Sequence, residues 1–468
     1  MIKEFYEERT ASMENRKKRA ALHNLGCKVN AYETEAMKQL LEEHGYEIVS
    51  FEEEADVYLI NTCSVTNMAD RKSRQMLHRA RKKNPHAVIV AAGCYVQSAG
   101  EEIVRSKDAD LVIGNNQKAR LPELLEPFFE EGSDREKTGG SHPADSFVID
   151  IAHTSEYEEM ALKKTAEHTR AFIKIQDGCN QFCSYCIIPY TRGRIRSRRP
   201  ADVLSEVRRL SEAGYREVVL TGIHLSSYGK DLEEKISLLE IIRMVHQIPG
   251  IQRIRLGSLE PRIITEEFVK ELSSMEKVCP HFHLSLQSGC DATLSRMNRH
   301  YTTEEYYDKC KLLRKYYEHP AITTDVIVGF PKETEEEFKD TLLFLRKARF
   351  YEMHIFKYSK RHGTKAASMS GQVPEETKTL RSHLALKLEA KLSEEFRYYY
   401  MGKTAEILLE EPHAFGKDVY ITGFTREYVK AAVKLTKENK EKMLPGRLIK
   451  VKMTGVLGDG LLSAEWTP

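Results

Sequence analysis

The chain repeats one hydrophobic pattern three times near its start: an apolar run of strand character, a small residue followed by cysteine, and then helical spacing of apolar positions. The runs are AALHNLGC, DVYLINTC and AVIVAAGC. Strands alternating with helices predict an α/β fold with a doubly wound parallel sheet, in which ligands gather beyond the carboxyl ends of the strands. Cys27, Cys63 and Cys94 each fall at such an end. The stretch between each pair is long enough for one βα crossover, so topology alone can bring them to one edge of the sheet.

Farther along, EEGSDREKTGGSHPADS and an acidic stretch around Glu156, Glu158 and Glu159 read as a linker around one short strand-like piece, SFVID. Six strand-like runs follow at AFIKIQ, EVVLTG, IQRIRLGS, HFHLSLQ, ITTDVIVG and YEMHIFKYS, separated by helical stretches such as PADVLSEVRRLSEAG. Six βα units predict a partial or complete barrel of the TIM type, with chemistry at its C-terminal mouth. The segment from Glu375 to Met401 reads as one helix, and beyond Gly402 five short alternating segments predict a small all-β barrel of the OB kind. The expected organisation is an N-terminal domain over 18–130, a linker over 131–168, a central domain over 169–400 and a β-barrel over 401–468.

Composition adds little to this picture. The 468 residues carry 72 Lys and Arg against 70 Asp and Glu, a formal charge of +2, so any nucleic-acid surface must come from local segregation of charge. Three such clusters stand out: Arg71, Lys72, Arg74, Arg79, Arg81, Lys82 and Lys83 after Cys63; Arg192, Arg194, Arg196, Arg198 and Arg199 in TRGRIRSRR; and Lys430 to Lys452 in the last domain, with Tyr420, Phe424 and Tyr428 as stacking or packing aromatics. A solvated face is the plainer reading of any one cluster. No apolar run reaches the ~18 residues of a membrane span, and the acidic start MIKEFYEERT lacks a secretory stretch, so a cytoplasmic protein with no membrane partner is expected.

Chemistry concentrates in the cysteines. Nine are too few and too unevenly spaced for a disulfide scaffold. The sharpest motif is Gly178-Cys179-Asn180-Gln181-Phe182-Cys183-Ser184-Tyr185-Cys186, directly after the first strand of the central domain. Three thiolates on a short loop suit three irons of a [4Fe-4S] cluster, with the fourth iron open to an external ligand; a zinc site with a distant fourth ligand is the alternative. For Cys27, Cys63 and Cys94 the plain alternative is three buried structural cysteines. Cys279, Cys290 and Cys310 share no context with these six.

The Cys-x3-Cys-x2-Cys spacing with Tyr185 before the last cysteine resembles the radical S-adenosylmethionine enzymes. The resemblance implies that Cys179, Cys183 and Cys186 hold the cluster and that its open iron binds S-adenosylmethionine, whose reductive cleavage gives a 5'-deoxyadenosyl radical. It also implies Tyr185 near the adenine and Thr221-Gly222 toward the methionine end of the cofactor. Seven ordered motifs, LGCKVNAYE, NTCSVT, AAGCYVQ, QDGCNQFCSYCIIPYTRGR, VVLTGIHLSSYG, HFHLSLQSG and TDVIVGFPKE, narrow the resemblance to the methylthiotransferases.

That family joins an N-terminal domain with a second three-cysteine cluster, a central radical domain and a C-terminal TRAM barrel. The resemblance therefore implies two [4Fe-4S] clusters, the second on Cys27, Cys63 and Cys94, and a tRNA partner, with an electron donor and a sulfur source both unidentified. Branches of the family act on isopentenyladenosine or threonylcarbamoyladenosine in tRNA, or on an aspartate of a ribosomal protein. Gly26-Cys27-Lys28-Val29-Asn30 and Asn61-Thr62-Cys63-Ser64-Val65-Thr66 look most like the threonylcarbamoyladenosine branch, which acts at position 37. Arginines of the Arg192–Arg199 segment are then expected to pair with the substrate carboxylate. An iron–sulfur RNA-binding protein without turnover is the reading from another class. Two departures from the family are Cys290, where serine is expected, and Lys332 in GFPKE, where glycine is commoner and a tight turn is put in doubt.

Overall fold

The computed structural model describes residues 16–106, 108–130, 144–162, 169–458 and 460–467. The chain divides into two compact units, Met1–Leu162 with Ile187–Arg194, and Lys163–Cys186 with Ile195–Pro468.

The first unit is built on β1 (Arg19–Asn24), α1 (Lys28–Glu43), β2 (Glu47–Val49), β3 (Val57–Thr62), α2 (Asn67–Lys83), β4 (Val88–Gly93), α3 (Cys94–Ser106), β5 (Leu111–Ile113), α4 (Leu121–Leu125) and β6 (Asp145–Phe147). Its six strands form one sheet in the order β2-β1-β3-β4-β5-β6, every pairing parallel. Every residue of β3 and β4 is buried, as expected for near-continuous apolar strands covered on both faces. On one face Tyr58, Ile60, Ile89 and Ala91 pack with Leu77 of α2 and Ile103 of α3. On the other, Val57, Leu59, Val90 and Ala92 pack with Met37 and Leu41 of α1 and with Leu121 of α4.

That is the doubly wound arrangement expected of the first domain. The SFVID piece, expected inside a linker, supplies β6, which pairs with β5 and adds a strand to the sheet. Of the rest of the expected linker, 144–162 is described and 131–143 and 163–168 lie outside the described residues.

In the second unit the six expected strand runs become β7 (Ala171–Asp177), β9 (Glu217–Gly222), β10 (Arg253–Leu256), β11 (His281–His283), β12 (Ala321–Val328) and β13 (Glu352–Lys357). A short antiparallel β8 (Arg196–Ser197) completes the sheet β10-β9-β7-β8, and β11-β12-β13 form a second parallel sheet. Single parallel bridges, Ile254 to Val278 and Leu259 to Leu284, continue the pairing from the end of one sheet to the start of the other. One apolar core runs through strands and helices, from Ile173 and Leu220 to Phe282 and Val326. The long C-terminal helix spans Glu375–Tyr398, and β14 (Thr404–Phe415), β15 (Asp418–Phe424), β16 (Lys430–Lys434), β17 (Leu448–Gly458) and β18 (Leu461–Trp466) close into a barrel.

The barrel is fastened to the parallel strands by buried charge. Glu217 of β9, fully buried, takes Arg255 at 2.9 Å, Arg170 at 3.1 Å and Arg253 at 3.7 Å. The same guanidiniums reach the barrel: Arg170 pairs with Glu410 at 2.9 Å, Arg253 with Glu406 at 3.0 Å, and Arg255 donates to the Arg426 carbonyl at 2.9 Å. Phe424 and Tyr428 stack on each other at 4.4 Å, with Arg170 over both rings and Arg255 over Tyr428. These two aromatics, read from sequence as candidates for stacking or packing, are therefore engaged in packing.

The turn in GFPKE does form. Lys332 adopts φ +65°, its amide donates to the Gly371 carbonyl at 2.7 Å, and its side chain packs where a Cβ on Gly371 would sit. A lysine in this left-handed region carries a cost of ~1–2 kcal/mol, which the surrounding contacts must offset.

Burial pulls Glu217 toward its neutral acid, but Arg255, Arg170 and Arg253 together outweigh it and hold the carboxyl below its ordinary range. A depressed carboxyl contributes stability that is fully present above its unfolded pKa of ~4.3 and is lost as pH falls through the folded value. Glu217→Gln, which strands three buried cations, is expected to cost about 3 kcal/mol or more at neutral pH. The same substitution should flatten the acid limb of the stability curve. Urea unfolding of both chains between pH 3 and 7 checks both expectations.

Candidate metal centres

All six candidate cysteines are unbridged, as are Cys279, Cys290 and Cys310. In the first unit the register of the sheet places the thiols. Asn24 pairs with Asn61, and Thr62 with Gly93, so the chain leaves β1, β3 and β4 at one end, and Cys27, Cys63 and Cys94 follow at once. Cys27 is the residue capping α1, and Cys94 opens α3. The positive end of a helix dipole favours a thiolate at such a position.

Glycine makes the geometry available. Gly26, at φ +119°, lies so near Cys63 that a Cβ there would sit 3.0 Å from its Cβ and 3.1 Å from its Sγ; a Cβ on Gly93, at φ +100°, would meet Asn61 Oδ1 at 2.6 Å. The three sulfurs feel one another. Cys27 is exposed at the surface, yet desolvation of its sulfur raises the thiol; burial pushes Cys63 up to about 12, and the neighbouring Cys94 raises both further.

A second, cationic layer surrounds these thiols. Arg192, fully buried, donates from Nε to Cys94 Sγ at 3.2 Å, and Asn115 Nδ2 stands 3.6 Å from the same sulfur. From the sequence, arginines of the Arg192–Arg199 segment are expected to meet the substrate carboxylate. The structure corrects this: Arg192 pairs with Glu33 inside the first unit, Arg198 pairs with buried Glu206, and Arg196 is buried beside Asp177. Of the five arginines only Arg194 and Arg199 are exposed. Clusters of Lys and Arg read alike in sequence whether they face solvent or ion pairs, and here burial decides.

In the second unit the loop Gly178–Cys186 leaves the end of β7. The Gln181 amide stands 3.5 Å from Cys179 Sγ, the Cys186 amide donates to the Cys183 carbonyl at 3.0 Å, and Ser184 is anchored by its amide to the Met297 carbonyl and by its hydroxyl to the Arg296 carbonyl. Arg299 donates to Cys183 Sγ at 3.4 Å and to the Ser285 carbonyl at 3.3 Å. Burial pushes the Cys179 thiol up to about 11. Each three-cysteine set thus has one guanidinium on one of its sulfurs.

Thr221 and Gly222 stand at the end of β9 beside the start of this loop. The connection is Gln176, whose side-chain amide donates to the Asp177 and Gly178 carbonyls at 2.6 and 2.7 Å and accepts from the His224 amide at 2.7 Å. A Cβ on Gly222 would meet Gln176 at 3.0 Å. Tyr185 is half-buried and packs edge-on to Phe330, 6.5 Å between centroids. Sequence reasoning missed Gln176 and Arg299, although a glutamine closing the strand AFIKIQ just before the cysteine loop was a visible signal. Cys290 is buried before a short helix and Cys310 lies in the apolar core.

Among the described residues no three His, Cys, Asp or Glu side chains are poised to hold one metal ion. A four-iron cluster makes a different demand, because its three thiolates bind three separate irons and stand farther apart than ligands of a single ion. Three unbridged thiols on a short glycine-started loop, and three more just beyond parallel strand ends, two of them at helix N-termini, match that donor set. A cavity of about 820 Å³ opens beside Gln181, its walls including His224, Lys230, Lys235, Glu260 and Arg262. Burial lowers His224 to about 4, helped by the nearby cations Arg299, Lys230 and Arg262.

Gly26→Ala is the sharpest check on the first set. A side chain at φ +119° pressed against Cys63 should displace that thiol. With a four-iron cluster on each set, anaerobically prepared protein would hold about eight irons per chain, and the variant is expected to keep about four with its circular dichroism retained.

Comparison with known proteins agrees with these features. Residues 19–114 match the family described as "Uncharacterized protein family UPF0004", and 173–345 match the radical SAM superfamily. The chain is 41% identical over 92% of its length, and 93% of the relative's, to the threonylcarbamoyladenosine tRNA methylthiotransferase MtaB of Bacillus subtilis. It is 36% identical over 93% of its length, and 94% of the relative's, to the tRNA-2-methylthio-N(6)-dimethylallyladenosine synthase of Clostridium novyi. In fold it is similar to the radical S-adenosylmethionine methyltransferase TsrM of Kitasatospora setae, at TM-score 0.54 and 16% identity, over 75% of this chain and 77% of that one. With thiols at the expected loop ends and full-length similarity of this order, the chain belongs to the radical SAM tRNA methylthiotransferases.

Proposed function

We propose that this enzyme converts N6-threonylcarbamoyladenosine at position 37 of tRNA to its 2-methylthio derivative. The observation that carries the substrate is the 41% identity across nearly the whole chain to an enzyme named for threonylcarbamoyladenosine. In this reading Cys179, Cys183 and Cys186 hold one [4Fe-4S] cluster, Cys27, Cys63 and Cys94 hold a second, and the six parallel strands of the second unit act as a partial TIM-type barrel followed by a TRAM barrel. When bound, the clusters and S-adenosylmethionine supply one-electron and sulfur chemistry for a purine C2–H bond that is neither acidic nor a leaving group.

The chain's own residues supply position and charge. Gln176 fixes the start of the cysteine loop against the end of β9, so that Thr221 and Gly222 stand at a set place beside the thiols. Arg299 holds Cys183 and is itself fixed by Tyr301 at 3.0 Å. The threonylcarbamoyl group carries a carboxylate, and with Arg192, Arg196 and Arg198 buried its partners are Lys230, Lys235 and Arg262 at the cavity beside Gln181. Exposed lysines of the last barrel, Lys437, Lys440, Lys450 and Lys452, and Arg71, Lys72 and Lys82 of α2 are the phosphate contacts. The remaining basic residues of α2 are engaged within the first unit: Arg79 and Lys83 with Glu52, Arg81 with Asp110, and Arg74 with the Tyr95 hydroxyl.

Offered tRNAs bearing threonylcarbamoyladenosine or isopentenyladenosine, the enzyme is expected to thiolate the first and leave the second, because a site built for a carboxylate strands its own donors against an apolar tail. Nucleoside mass spectrometry reads the products. Preference for the isopentenyl base, or modification of a ribosomal protein with tRNA untouched, overturns the substrate. Lys230→Ala with Lys235→Ala should raise KM for the threonylcarbamoyl tRNA about tenfold or more, the value of one charge-assisted hydrogen bond, while Kd for tRNA with unmodified adenine stays unchanged. A matching loss for both tRNAs would assign these lysines to phosphates.

A further inference from the structure

Within the first unit one guanidinium touches almost everything that positions the three thiols. Arg192 donates through Nε to Cys94 Sγ at 3.2 Å, through both terminal nitrogens to Glu33 at 2.8 and 3.1 Å, and to Asn30 Oδ1 at 2.9 Å. Asn30 in turn donates to the Leu25 carbonyl at 3.1 Å and the Thr62 carbonyl at 2.9 Å, which belong to the loops leading into Cys27 and Cys63. The Cys27 thiol points at Asn30 Oδ1 from 3.5 Å. One residue is therefore bonded directly to one sulfur and, through one amide, to the approaches of the other two.

The surroundings hold it in place. Arg192, Lys118, Glu33 and Asn30 are all within 1% of complete burial. Lys118 closes on Glu33 from a second direction, and Asn115 ties the neighbouring Thr191 carbonyl at 2.7 Å. A four-iron core ligated by three thiolates carries net negative charge, which a buried guanidinium beside it stabilises, and a hydrogen bond to a ligating sulfur is a recognised determinant of cluster potential.

We propose that Arg192 is a positioning residue for the second iron–sulfur centre: held by Glu33, it fixes the Cys94 sulfur and raises the reduction potential of the centre that Cys27, Cys63 and Cys94 hold. The proposal rests on the reading of those three cysteines as cluster ligands. It removes Arg192 from the list of RNA contacts, although the residue sits in the most basic stretch of the chain.

The test uses the full chain, reconstituted anaerobically, in a Cys179→Ala, Cys183→Ala background so that only the second centre remains. Its midpoint potential is read by redox titration with electron paramagnetic resonance for Arg192, R192K and R192Q. The expected order is wild type highest, R192K lower because the charge stays but the bond to sulfur is lost, and R192Q lowest, with about four irons retained. In a Cys27→Ala background R192K should leave the other centre's midpoint unmoved, and its tRNA affinity and salt dependence should match the parent's.

Equal midpoints in the three chains overturn the proposal, as does a fall in tRNA affinity without a change in potential. An R192K chain that fails to fold also counts against it, because positioning predicts a folded chain altered at one centre; if R192Q alone fails to fold, R192K carries the test. A background chain that binds no iron with Arg192 intact refutes instead the cysteine assignment on which the proposal rests, and so the two failures are told apart.

Discussion

Parallel register in the first sheet is the constraint on which the candidate second centre depends. Cys27, Cys63 and Cys94 are far apart in the chain, and they share a site only because β1, β3 and β4 are adjacent and end together. A slip of one residue in either pairing would exchange the faces of the sheet and move one thiol from the others. The apolar runs of β3 and β4 fix that register by packing on both faces, so the same hydrophobic residues that stabilise the unit also place the sulfurs.

Both units solve a second problem alike. Buried carboxylates are paired with buried cations, arginine in each case: Glu33 with Arg192 and also Lys118, Glu206 with Arg198, and Glu217 with Arg170, Arg253 and Arg255. The guanidinium stays charged and presents donors in a planar fork, which suits it to bridge a carboxylate and one further acceptor. In the second unit the further acceptors are carbonyls and carboxylates of the barrel; in the first it is a cysteine sulfur. The basic residues of this sequence are thus divided between interior bridges and exposed groups.

That division is where sequence reading reached its limit. The strand runs, the long helix from Glu375 and the five barrel strands were legible because burial imposes periodicity, and the cysteines were legible because glycines and strand ends punctuate them. TRGRIRSRR was not, since charge carries no mark of which way a side chain faces. The fastening of the barrel by Arg170, Arg253 and Arg255 was hidden for the same reason: RIRL reads as a strand with two solvent-facing arginines, and their partners lie more than a hundred residues away. The Lys332 turn shows the opposite error, a residue that local preference disfavours but that contacts with Gly371 sustain.

The first unit is not a continuous piece of chain. Its final portion, Ile187–Arg194, is reached only after the Cys179–Cys186 loop has been made. A nascent chain that has emerged only as far as Leu162 contains the entire six-stranded sheet but holds Glu33 without Arg192, and Cys94 without its guanidinium. The sheet can form early during synthesis, whereas the surroundings of its thiols are finished late. Maturation is thereby ordered in time: the ribosome must deliver the Cys179–Cys186 loop before the surroundings of Cys27, Cys63 and Cys94 are complete.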